Sequence, residues 1–183
     1  ARDNIERALC AGEGDHFIHA VAGEVYVVAG EHDLAMSHSD KSLALNPNDL
    51  FALCSRGLIV AYSGEPEAAV ELLREAYRYD PLMPDIFREN LAEAYYLMRD
   101  YENALGEYNR WQNPSVHTFT HMAACYAQLG RQDEADAAAR AFDENSPADV
   151  DFAGYAKAHA RLCKHAEDAE HWLEGYRKAG FTV

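Results

Sequence analysis

The chain of 183 residues carries a formal charge of −15, from 16 Lys and Arg against 31 Asp and Glu. Such a charge repels nucleic-acid phosphates and anionic membranes and favours basic partner segments, although an acidic surface also serves solubility alone. An apolar fraction of 49% excludes disorder. Cys10, Cys54, Cys125 and Cys163 lie far apart without a Cys-x-x-Cys pair, which excludes a disulfide framework and a zinc ribbon.

Residues 1–15 open with a short helical stretch, in which Ile5, Ala8 and Leu9 share a face. Ala11 to Asp15 reads as a turn. This is the second helix of a hairpin whose first helix is missing, so the chain is expected to be cut from a longer protein. Residues 16–49 form the first complete unit. A helix from His16 to Ala29 ends at Gly30, where a left-handed residue is needed, and a second runs from His32 to Leu45 before Asn46-Pro47 stops it. Gly23 and Ala35 are small because the two helices cross there.

Residues 50–84 repeat the pattern with Gly57, Gly64 and Ala69, and close on Asp80-Pro81. Pro66 opens the second helix, where its missing N–H costs nothing. Residues 85–115 keep Leu91, Ala92, Tyr95, Tyr101, Ala104 and Tyr108 in frame. Here Arg99 stands where glycine is usual, and Asn113-Pro114 ends the unit early. A shorter second helix and an altered stacking angle are expected. Residues 116–149 return to the regular form, with Ala123, Gly130, Ala135 and Ser146-Pro147.

Residues 150–183 read as a degenerate fifth unit and a C-terminal cap. Phe152, Tyr155, His159 and Leu162 mark one amphipathic helix. Trp172, Leu173, Tyr176 and Ala179 mark the last one, ended by Gly180. Trp172, Leu173 and Tyr176 are expected to pack on the Phe152–Tyr155 helix.

The matching alanines Ala35, Ala69, Ala104 and Ala135 are spaced 34, 35 and 31 residues apart. A fixed period of this size marks stacked helical hairpins. The pattern from about Asp15 to Asp149 resembles the tetratricopeptide repeat. The resemblance implies an all-α, right-handed α-solenoid with a concave groove lined by the first helix of each pair. In that frame the candidate groove residues are Phe17, Glu24, Phe51, Leu58, Tyr62, Ile86, Glu89, Glu93, Tyr96, His117, Thr120 and Gln128. The lysines, arginines and asparagines of a chaperone-type carboxylate clamp are largely missing at these offsets. The stretch His171 to Phe181, with Asn46 to Asp49 and Gly64 to Ala69, resembles repeat regions behind nucleotide-cyclase or winged-helix domains of bacterial signalling proteins.

No catalytic set, phosphate loop or cofactor motif appears. His117 and His121 share a helix face at ligand spacing, but no His-Glu-x-x-His pattern accompanies them, and a solvated groove histidine needs no metal. Tyr62, Tyr95, Tyr96 and Tyr126 serve either inter-repeat packing or anchoring in the groove. The expected function is non-catalytic capture of a protein or peptide, basic or amphipathic, in a reducing cytoplasm. The alternative is a structural module that self-associates or packs on a missing N-terminal catalytic or DNA-binding domain. No cofactor and no metal are expected.

Overall fold

The computed structural model describes residues 2–80, 84, 86–111, 114–147 and 149–183, with Ile86 described by its backbone alone. The expected stops at Pro81 and Asn113 therefore lie outside the described residues, as does the side chain of the groove candidate Ile86. The described residues form helices and no strand, in the order α1 (Arg2–Ala11), α2 (His16–Val28), α3 (His32–Leu45), α4 (Leu50–Tyr62), α5 (Pro66–Tyr79), α6 (Ile86–Leu97), α7 (Tyr101–Tyr108), α8 (Val116–Gln128), α9 (Gln132–Asn145), α10 (Phe152–Ala160) and α11 (Ala166–Lys178).

Short polar residues start five of the described helices. Asp15, Asp49, Asp100, Ser115 and Asp151 each accept a backbone N–H of the first turn that follows. One turn geometry ends the first helix of each of the four repeats. Gly30, Gly64 and Gly130 have φ of +77°, +97° and +72°, and Gly180 after α11 has +90°. The next N–H reaches back five residues in each case, as in Glu31 N to Tyr26 O at 2.8 Å and Arg131 N to Tyr126 O at 2.9 Å.

The third unit makes the same turn without glycine. Arg99 holds φ of +64° and Asp100 N bonds Tyr95 O at 2.9 Å. A left-handed side-chain-bearing residue costs roughly 1–2 kcal/mol. Its guanidinium bonds Leu97 O and reaches Asp168 Oδ1 at 3.0 Å, which ties the turn to α11. The unit is also short in its second helix: α7 has 8 residues where α3, α5 and α9 have 14.

The hairpins α2–α3, α4–α5, α6–α7 and α8–α9 pack as antiparallel pairs. Their crossings need the small residues. A Cβ on Gly23 would lie 2.7 Å from Ile59 Cδ1 and 3.2 Å from Ala35 O, and one on Gly57 would overlap Leu73. Ala35, Ala69, Ala92, Ala104, Ala123 and Ala135 are fully buried. First helices stack in series from α2 to α4 to α6. The series opens at α6, whose backbone does not run against α8 among the described residues.

The α10–α11 pair does not continue the stack as a fifth unit. A fifth first helix would lie beside α8, but it is α11 whose backbone lies there. The pair instead lies on the face of α4, α6 and α8. Lys164 N bonds Tyr62 O at 2.8 Å, His165 lies against Gly64, Asp168 meets Arg99, and Lys178 Nζ bonds Gln128 Oε1 at 2.9 Å. Thus α10 runs back from the fourth unit toward the second, and α11 returns along the interhelical turns. Trp172 packs on α10 as expected, through His159 at 4.6 Å between centroids, and also stacks on Tyr96 of α6 at 3.7 Å, while Tyr176 meets Phe152 of α10 at 5.3 Å.

Candidate functional site

The groove is thus divided into a covered part and an open part. In the covered part, polar tips of large side chains meet where α4, α6, α7, α8, α10 and α11 converge. Tyr62 Oη donates to Glu93 Oε2 at 2.9 Å and lies 2.8 Å from His159 Nε2. The hydroxyl has one proton, so donation to Glu93 leaves its oxygen to accept Nε2–H of His159. His159 Nδ1 then accepts from Tyr176 Oη at 2.9 Å. His121 Nε2 lies 2.9 Å from Tyr155 Oη, and its Nδ1 faces Tyr108 Oη at 3.4 Å. Thr118 Oγ1 donates to Glu89 Oε1 at 3.3 Å. The phenol and imidazole tips named above each have a hydrogen-bonding partner, whereas the buried Trp172 Nε1 has none among the described residues.

Burial dominates the electrostatics. It pushes the His121 imidazole well below the ordinary histidine range, with His159 and His117 adding to the effect. Burial, and the Glu93 carboxylate after it, push Glu89 up to about 8. The Tyr62, Tyr96, Tyr108 and Tyr176 phenols are held protonated far above neutrality by desolvation.

The sequence-derived groove residues fall on both sides of this division. Tyr62, Glu93, Tyr96 and Thr120 are buried. His117 is half-buried and stacks on Tyr155 at 3.8 Å. Glu89 faces the seam, and Gln128 is engaged by Lys178. Tyr62, Tyr96 and Glu93 are therefore corrected from open anchors and steering charge to packing partners of the C-terminal hairpin. The hairpin brings Trp172, Tyr176 and His159 onto the same face, and burying those rings covers the groove.

Phe17, Glu24, Phe51 and Leu58 lie toward the other end. Glu24 and Leu58 are half-buried, and desolvation raises the Glu24 carboxyl while a hydrogen bond with Ser55 opposes that shift. Phe17 is 51% exposed, stands 4.9 Å from Phe51, and Phe51 stands 6.1 Å from Phe87. This row takes one ring from the first turn of each of α2, α4 and α6; Phe17 is exposed, and Phe51 and Phe87 are half-buried. Phe87 sits one position past the repeat offset of Phe51 and was missed for that reason. Tyr108, Tyr155, His159, Trp172 and Tyr176 were read as packing or cap residues. Their signal was the density of rings with polar tips on α10 and α11, more than a solvent-facing cap needs.

An all-helical array with recurrent left-handed turns and alanine crossings defines a tetratricopeptide-type solenoid. No family model matches the chain. Over 66 residues it is 35% identical to the Photosystem I assembly protein Ycf3 of Acaryochloris marina (strain MBIC 11017), which covers 36% of this chain and 40% of that protein. The chain thus spans under half the length of that relative. Among solved structures, Pseudomonas aeruginosa PilF superposes with a TM-score of 0.64 at 21% identity, over 95% of this chain and 79% of that one. The MamA protein gives 0.59 at 19%, over 92% and 91%. YrrB, described as a TPR protein with an unusual peptide-binding site, gives 0.57 at 19%, over 98% and 92%. These likenesses show a shared fold. No helix among the described residues is long and apolar enough to cross a membrane.

Proposed function

We propose that the chain is a non-catalytic scaffold that holds a protein or peptide segment on its concave face. The observation that carries this reading is the groove's own content. Two amphipathic helices, α10 and α11, are already seated across α4, α6 and α8, so the face is built to take helices. The partner engages the part left open, the Phe17–Phe51–Phe87 row. Partly exposed rings in a row make anchors of large area at low entropic cost. With a chain charge of −15, the favoured occupant is a basic amphipathic segment. The free thiols suit a reducing cytoplasm. The stretch His171 to Phe181 supports placement in a larger bacterial signalling or regulatory protein.

The test is fluorescence anisotropy with a labelled Lys/Leu amphipathic helical peptide on wild type and on a Phe17→Ala, Phe51→Ala variant. Both rings are at least partly exposed, so the fold survives the change. The expected result is at least tenfold weaker binding, equivalent to about 1.4 kcal/mol, and weakening of the wild-type complex as salt is raised. Equal affinities would remove the row as the site. A concentration-dependent dimer in light scattering, lost in the same variant, would favour self-association instead.

A further inference from the structure

Glu93 on α6, His121 on α8 and His159 on α10 meet at the seam between the array and its hairpin. All three are buried, and their ligand-type atoms lie within 4.8 Å of one another. Glu93 Oε1 is 3.4 Å from His159 Nε2 and 3.7 Å from His121 Nδ1. Two ligands bound tetrahedrally at zinc-like distances of about 2.0–2.1 Å sit roughly 3.4 Å apart, so this spacing is near that of a formed site.

The outer nitrogens strengthen the case. His121 Nε2 is taken by Tyr155 Oη and His159 Nδ1 by Tyr176 Oη, each at 2.9 Å. The inner nitrogens face the carboxylate; a bound ion replaces the 2.8 Å contact of His159 Nε2 with Tyr62 Oη and the 3.4 Å contact of His121 Nδ1 with Tyr108 Oη, and moves the His159 proton to Nδ1, which then donates to Tyr176 Oη. Outer-shell partners orient metal-bound imidazoles in this way. Glu89 Oε1, 3.6 Å from His121 Nδ1, lies outside this group of three and accepts from Thr118. Among the described residues, the ion pairs of Glu89 and Glu93 are with His121 and His159 alone. Glu93 is buried with Tyr62 Oη, His121 and His159 as its polar partners, and a bound cation would supply a compensating positive charge.

We propose that Glu93, His121 and His159 bind one divalent transition-metal ion of the zinc type, which staples the hairpin into the groove. The donor set selects the class. Imidazole nitrogens with carboxylates suit zinc, cobalt or nickel, whereas calcium and magnesium require shells of oxygen. The two imidazole rings are 20° from parallel with centroids 4.7 Å apart. An imidazole lone pair lies in its ring plane, so coordination turns one ring out of this stack. His117, the neighbour at ligand spacing on α8, lies outside this group of donors.

Metal-stripped full-length chain is titrated with Co²⁺, read by its visible spectrum, and with Zn²⁺, read by calorimetry and thermal melting. The expected result is one ion per chain, an intense low-coordinate cobalt band and a raised melting temperature. His159→Gln and Glu93→Gln should each weaken binding by about 100-fold, while His117→Gln leaves it unchanged. Absence of both the band and the melting shift in the wild type overturns the proposal. So does equal binding by the Gln variants, which would assign the metal to surface groups. Should either Gln variant lose its helical signal, Tyr155→Phe and Tyr176→Phe decide. Each should bind at least tenfold more weakly, and undiminished affinity in both overturns the site.

Discussion

His171 illustrates how a single side chain reports on the docked hairpin. Its Nε2 lies 3.1 Å from Tyr101 Oη, and its ring stands 4.9 Å from that of Tyr96. Burial first, and then Arg99, push its pKa down to about 4; Glu174 and Asp168 oppose this, and Lys178 adds to it. The folded state therefore favours the neutral ring, whereas the unfolded chain takes up a proton near pH 6.5. Because the unfolded state binds more protons between these values, stability rises with pH across the window. It is complete above pH 6.5 and is lost as pH falls toward 4. The ring is far from fully enclosed, so the effect is discounted for screening to the order of 1 kcal/mol between pH 7 and pH 5. Urea unfolding of wild type and His171→Gln at the two pH values checks this. The variant should lose less stability on acidification. Parallel losses would show that the hairpin docks without regard to this ring.

At the scale of elements, α11 is held by its side chains unevenly. Trp172 is fully buried on Tyr96, while Leu173, one residue on, is half-buried. Trp172→Ala should cost about 3–5 kcal/mol, because the wall formed by Tyr96 and His159 cannot collapse into the space. Leu173→Ala should cost less than half as much. Urea midpoints of the two variants test the order; a reversed order would mean that α11 is clamped by its outer face. The array itself was legible in the sequence, and the docking of α11 was not, for a physical reason. Gly23, Ala35, Gly57 and Ala69 are forced by close approach at the helix crossings, and that approach recurs at one period. Arg99 broke the visible glycine pattern yet kept its left-handed turn. The hairpin's docking depends on side-chain contacts such as Tyr62 with His159, 97 residues apart, which no local period encodes. Gly175 carried a trace of it. A Cβ there would overlap Tyr96 Oη and lie 3.2 Å from Ala124 Cβ, so the glycine serves close approach of α11 to α6 and α8.

For the whole molecule, the hairpin changes how the repeats share stability. In an open solenoid each unit touches only its neighbours, so stability is a sum of local terms and unfolding can begin at either end. Here α10 and α11 touch the second, third and fourth units at once, through His165 at Gly64, Asp168 at Arg99 and Lys178 at Gln128. Exposed ion pairs such as Arg131–Glu134 add little to this cohesion; the buried ring cluster supplies it. These units should therefore unfold together. In a Trp111→Phe background, which leaves Trp172 as the fluorophore, urea unfolding followed by Trp172 emission and by helical circular dichroism should give coincident transitions. Gly175→Val drives side-chain atoms into Tyr96, and overpacking of this kind costs roughly 1–3 kcal/mol. In that variant the Trp172 transition should move to lower urea and separate from the loss of helix, because the hairpin leaves before the array melts. Separate transitions in the parent chain, or coincident ones in the variant, would show that the four units hold together without the hairpin.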